Sequence, residues 1–78
     1  MSQHGSPARY IREVVFGISS QEAFAELLGV SQAQVSRWET GVNGMSRRVQ
    51  TRIRELARER GIAWDDSWFF EPPADKAA

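Results

Sequence analysis

The spacing of apolar residues along the chain predicts four helices followed by one aromatic segment. Ile11, Val14, Val15 and Ile18 fall at i, i+3, i+4 and i+7, the apolar stripe of a helix over 7–16. Ser6-Pro7 gives that helix an N-cap with proline at its first position, and Gly17 is placed to end it. Ser20 caps a second helix over 21–28, with Phe24, Ala25, Leu27 and Leu28 as its apolar side and Gly29 as its stop. Ser31 caps a third over 32–39, where Val35 and Trp38 are the apolar positions. Ser46 caps a fourth over 47–60, and Val49, Ile53, Leu56 and Ala57 repeat there at i, i+4, i+7 and i+8. Gly41 to Gly44 reads as a turn, and Gly61 closes the fourth helix. The expected core is Phe24, Leu28, Val35, Trp38, Val49, Ile53 and Leu56.

The pattern changes after Gly61. Residues 64–70 hold four of the chain's eight aromatics: Trp64, Trp68, Phe69 and Phe70. Asp65-Asp66-Ser67 between two aromatic-rich triplets suggests a small hairpin, and Asp66 capping one helical turn is the competing reading. Four aromatics are more than one short segment readily buries alone. Trp64, Trp68, Phe69 and Phe70 are therefore expected at a homodimer interface. Glu71-Pro72-Pro73 ends regular structure. The chain thus divides into a flexible N-terminus (1–5), a helical domain (6–61), an aromatic dimerisation segment (62–71) and a disordered tail (72–78).

Length and charge refine this picture. Seventy-eight residues make one domain, small enough that a partner subunit is expected to help stabilise it. The net charge of zero conceals a division. Residues 1–60 carry nine Arg against six acids, whereas residues 61–78 carry Lys76 against Asp65, Asp66, Glu71 and Asp75. A basic body points to an anionic partner, and Arg offers the planar fork that suits phosphate and guanine edges. A GC-rich genome would also favour Arg over Lys. The absence of cysteine excludes a disulfide scaffold and a thiolate zinc site. No apolar run reaches the roughly 18 residues of a membrane span, and no signal-peptide pattern opens the chain. The expected place is the cytoplasm, on the nucleoid, with no membrane contact. His4 stands alone, and the adjacent Asp65 and Asp66 point apart, so neither suggests catalysis. No nucleophile–base pair, phosphate loop or metal spacing occurs. The chain is expected to be no enzyme and to need no cofactor or metal.

The informative stretch is 21–38. Ala25 lies one turn before Gly29, where a small side chain lets two helices approach closely. Gly29 can take the left-handed conformation that turns the chain sharply. Val30, Val35 and Trp38 point inward, which leaves the outer face of the third helix polar. Two helices joined at a steep angle by a short glycine-containing turn form a helix-turn-helix, whose second helix fits the DNA major groove.

The run Gln21-Glu22-Ala23-Phe24-Ala25-Glu26-Leu27-Leu28-Gly29-Val30-Ser31, continued by Gln32-Ala33-Gln34-Val35-Ser36-Arg37-Trp38-Glu39-Thr40-Gly41, resembles the Cro/repressor-type (XRE family) helix-turn-helix. The resemblance is close over 20–41 and holds in outline over 7–61. It implies an all-α, lambda-repressor-like bundle of about four helices with a short C-terminal aromatic arm or hairpin. It implies a transcription regulator that binds double-stranded DNA as a homodimer, of a kind common in prophages. Gln32, Ala33, Gln34, Ser36 and Arg37 would face base edges, where Gln suits adenine and Arg suits guanine. Gln21, Ser31, Asn43, Arg47 and Arg48 would grip phosphates. RNA polymerase is a further candidate partner. The other functional class is an antitoxin-like or adaptor protein whose aromatic segment binds another protein.

The chain departs from the family in three places. Its connection between the first two helices is one residue longer. By alignment, the family's helix-one arginine, which pairs with the glutamate at position 39, falls near Glu13 and Val14. Arg12 would then serve only if the extra residue shifts it. Met45 stands where the family has proline, and the aromatic segment stands where it has a fifth helix.

Overall fold

The computed structural model describes residues 6–71. The expectations of a flexible 1–5 and a disordered 72–78 lie outside the described residues. Among the described residues the architecture is all-helical: α1 (Pro7–Tyr10) running directly into a π-helical turn (Ile11–Val15), α2 (Gln21–Leu28), α3 (Gln32–Thr40), α4 (Arg47–Glu59) and a 3-10 turn (Asp66–Phe69).

Serine starts all four main helices. Ser6, Ser20, Ser31 and Ser46 each accept a hydrogen bond from the backbone N–H three residues on, which satisfies one of the open donors of a first helical turn. Ser31 does so within a full capping box, since the Gln34 side chain returns to the Ser31 backbone N–H at 3.2 Å. Gly29 takes φ 75°, a left-handed conformation costly for any residue with a Cβ, and this lets α3 leave α2 at once.

The helices close around one core. Ile11, Phe24, Val35 and Ile53 are its fully buried large side chains, one each from the π turn, α2, α3 and α4. Every residue of the expected core is buried: Phe24, Leu28, Val35, Trp38, Val49, Ile53 and Leu56. Met45, where the family has proline, is half-buried against this core. α2 packs on α3 and α4, and α1 packs on α3 and on the 3-10 turn.

Two expectations are corrected. Val14 is 49% exposed, so it does not belong to the apolar stripe of the first helix. The cause is the π turn, in which Phe16 N–H bonds the Ile11 carbonyl at 2.9 Å, five residues back. That turn takes up one residue more than an α turn, and the buried set becomes Ala8, Ile11, Arg12 and Phe16. The second correction concerns 62–70, which forms no hairpin. Asp65, rather than Asp66, caps the 3-10 turn by accepting from the Ser67 N–H at 2.9 Å.

Candidate nucleic-acid interface

The polar half of the molecule is organised by a side chain that the α-helical pattern did not mark as buried. Arg12 lies in the interior, and its guanidinium is saturated. Nε donates to Glu39 Oε2 at 2.6 Å and Nη2 to Glu39 Oε1 at 3.1 Å, a bidentate pair. Nη1 donates to the carbonyls of Ile18 and Ser19 at 3.1 and 2.6 Å. Nη2 also lies 3.4 Å from Glu13 Oε2. One residue therefore ties the first helix, the 17–20 connection and the end of α3 together. The hydrogen bonds to Glu39 hold the Arg12 pKa above its usual value, against the opposing effect of burial. The π turn brings Arg12 round to α3, and the longer connection is held by its Nη1.

This pair leads outward to the surface. Gln21 Nε2 donates to Glu39 Oε1 at 3.1 Å, and Gln32 Nε2 donates to Gln21 Oε1 at 2.6 Å. The polarity of this chain is dictated from inside. A carboxylate only accepts, so Gln21 must turn its amide NH2 toward Glu39. Its carbonyl then faces Gln32, whose NH2 must answer it. Gln32 is left with one N–H and a carbonyl oxygen for another partner. An adenine edge in the major groove offers one acceptor and one donor, the complement of that set.

The remaining expected contacts are distributed as follows. Gln32, Ala33, Gln34 and Arg37 are exposed along α3, and Ser36 is half-buried. Gln34 uses its side-chain oxygen in the capping box, accepting from the Ser31 N–H. Ser31 is exposed and is the cap of α3. Asn43 is exposed in the turn after α3, its N–H 3.4 Å from the Arg37 carbonyl. Arg47 and Arg48 are exposed in the first turn of α4. Arg48 also lines a hollow with Leu28, Gly29 and Val30, beside the α2–α3 turn. Among the described residues no ion pair engages Arg37, Arg47 or Arg48.

The aromatic segment folds back on its own chain. Trp64 meets Trp68 edge-on at 5.0 Å and Phe69 at 5.1 Å, and Trp68 meets Tyr10 at 5.9 Å. Phe69 is only 6% exposed, with the Arg54 guanidinium 5.2 Å above its ring. It belongs to the core of its own chain, which corrects its expected place at a dimer interface. Trp64 and Trp68 are half-buried, whereas Phe70 is 74% exposed. Among the described residues no acidic or histidine cluster could hold a metal, and no helix is long and apolar enough to cross a membrane.

Residues 18–47 match the family described as helix-turn-helix. The match spans α2, the Gly29 turn, α3 and the start of α4, the elements that carry Gln21, Gln32 and Arg37. This segment is a Cro/repressor-type helix-turn-helix. The helix-turn-helix supports a DNA-binding regulator with double-stranded DNA as its partner. Neither a curated protein nor a solved structure matches the chain.

Proposed function

We propose that this protein is a sequence-specific transcription regulator that reads the major groove of duplex DNA with α3 and acts as a homodimer on a near-palindromic site. The observation that carries the reading is the hydrogen-bonded series Arg12–Glu39–Gln21–Gln32, which presents a polarised amide at the start of α3. Gln32 and Arg37 are the principal base readers, with Ala33 beside them and Ser36 and Gln34 in lesser roles. Gln21, Ser31, Asn43, Arg47 and Arg48 contact phosphates and set the register. Trp64, Trp68 and Phe70 supply the apolar face toward the second copy. Two-fold symmetry would place the reading helices about 34 Å apart. Occlusion of promoter DNA is the simplest mode of action, and contact with RNA polymerase is the route to activation.

Selection of sites from randomised duplex DNA tests this reading, run on the natural chain and on Gln32→Ala/Arg37→Ala. A two-fold symmetric motif should be enriched by the first and lost or altered in the second. A folded protein that enriches nothing at low salt would overturn the proposal. It would turn attention to Phe70 and the half-buried tryptophans as a surface for a protein partner, the adaptor-like function.

A further inference from the structure

Beyond α4 the chain doubles back and leaves a cleft on the side of that helix. Gly61 is left-handed at φ 70°, and the Ile62 N–H returns to the Ala57 carbonyl at 2.8 Å. Asp66 then pins the returning segment, accepting from Arg54 Nε at 2.8 Å and from Trp64 Nε1 at 2.7 Å. The open cleft is lined by Arg54, Arg58, Ile62, Trp64, Asp65 and Asp66. It measures about 640 Å³, within the roughly 300–1,000 Å³ of small-molecule sites. Its charges do not all answer one another. Arg54 and Asp66 are paired. Among the described residues no carboxylate meets the Arg58 side chain and no cation meets Asp65, although both line the same space. Arg58 stands one helical turn from Arg54, a like-charge spacing that an anion beside it would relieve. Asp65 gives Oδ1 to the Ser67 N–H and hydroxyl, at 2.9 and 2.8 Å, and its Oδ2 has no partner among the described residues. The rest of the lining is apolar, the half-buried Ile62 and Trp64.

An unpaired guanidinium, an unpaired carboxylate oxygen and an apolar wall thus share one cleft. A lone anion there would meet Asp65 and Asp66, and a lone cation would meet Arg54 and Arg58. A zwitterion with an apolar body satisfies both signs. We infer that this cleft binds a free α-amino acid with an apolar side chain. Arg58 takes the carboxylate with its planar fork, Asp65 Oδ2 accepts from the ammonium group, and Ile62 and Trp64 cover the side chain. The bound molecule would touch both α4 and the aromatic turn, and so clamp one to the other. The site lies on α4 and the segment after it, whereas Gln32 and Arg37 are on α3. The inference therefore does not rest on α3 reading DNA.

The test titrates the full chain with L-leucine, L-isoleucine and L-phenylalanine, read by tryptophan emission and by calorimetry. At least one should bind saturably with a Kd of about 1 mM or below. Glycine, which keeps both charges and loses the side chain, should bind about tenfold more weakly. The amide and the N-acetyl derivative of the same amino acid, each lacking one charge, should also bind about tenfold more weakly. Arg58→Gln should no longer distinguish the amino acid from its amide, and Asp65→Asn should no longer distinguish it from its N-acetyl derivative. Arg58 is exposed, and Asp65→Asn keeps an oxygen to cap the 3-10 turn, so both variants should melt with the natural chain. If none of the three amino acids binds with a Kd below about 1 mM, the inference is overturned. Amide and N-acetyl derivatives that bind as well as the parent would also overturn it, because adsorption on the tryptophan would then suffice. Variants that keep the natural chain's discrimination would overturn it by placing the ligand elsewhere. None of these outcomes bears on DNA reading, which site selection tests separately.

Discussion

Two arginine–carboxylate pairs hold this molecule together, alike in bonding and opposite in surroundings. Arg12 Nε meets Glu39 at 2.6 Å, with side chains 5% and 6% exposed. Arg54 Nε meets Asp66 at 2.8 Å, with side chains 38% and 61% exposed. Each carboxylate takes a second donor: Gln21 Nε2 on Glu39 and Trp64 Nε1 on Asp66. The first pair joins α3 to the first helix, and the second pins the aromatic turn to α4. Water and salt compete with the exposed pair, so its net contribution is small. The buried pair has already lost its water, and removing either partner strands a charge. Similar bonds therefore do different work. The inner pair ties the first helix to α3 and sets the polarity of the Gln21–Gln32 series, and the outer one latches an aromatic turn that Phe69 also anchors in the core.

The sharpest way to break the comparison is Arg12→Met. It leaves the Glu39 carboxylate buried with Gln21 as its one strong donor, and should cost about 3–5 kcal/mol, a large share of the stability of so small a domain. The urea midpoint checks this, and a loss below about 1 kcal/mol would show that water reaches Glu39. Adding Glu39→Leu removes the stranded charge and should recover most of the stability. DNA affinity should not recover with it, because Gln21 and Gln32 are no longer polarised from within. Full recovery of affinity would separate the reading surface from the buried pair.

A smaller effect distinguishes the two faces of the aromatic segment. Phe69→Ala removes a core side chain and should cost about 3 kcal/mol, at the low end for phenylalanine because the 3-10 turn lies at the edge of the core. Phe70→Glu should shift the sedimenting species from dimer to monomer, and should leave the urea midpoint unmoved when both proteins are compared at a concentration low enough to be monomeric. A dimer that survives Phe70→Glu would move the interface elsewhere on the surface.

Much of this was legible in the sequence because caps are local chemistry. The four serines, Gly29 and Gly41 place the ends of α2, α3 and α4 within a residue, and the spacing within α4 identifies its buried side. The first helix was misread because the stripe Ile11-Val14-Val15-Ile18 assumes 3.6 residues per turn throughout, and the π turn at 11–15 does not keep that period. The same local change hid the role of Arg12, which looked out of register with Glu39 while counted along an α-helix. At the aromatic segment, Asp-Asp-Ser between apolar triplets is compatible with a hairpin or a helical turn. The choice is made by tertiary contacts, Asp66 bonding Arg54 and Phe69 entering the core, that no local pattern contains. The pairing of Gln21 with Gln32 escaped for a related reason. Each was expected at DNA, yet their mutual bond spans eleven residues and depends on the orientation that Glu39 imposes.

The gentlest test of the comparison is acid. The Asp66 carboxyl is held below its ordinary value of 3.8, first by the hydrogen bond from Arg54 and next by that from Trp64. A folded-state pKa below the unfolded one means that the unfolded chain takes up the proton first as pH falls. The stabilisation is therefore complete above 3.8 and disappears as pH drops through the folded value. Because the pair is exposed, what should respond is the aromatic turn rather than the whole fold. Trp64 loses a carboxylate acceptor at its Nε1, so the tryptophan emission should shift in that acid window. Far-ultraviolet circular dichroism should still report the helices there. Asp66→Asn, which keeps an acceptor oxygen but no titrating group, should flatten the transition, and added salt should weaken the pair at neutral pH. If emission and helicity are lost together in both proteins, the outer pair is no separate latch, and the division between a fixed interior and a releasable aromatic turn fails.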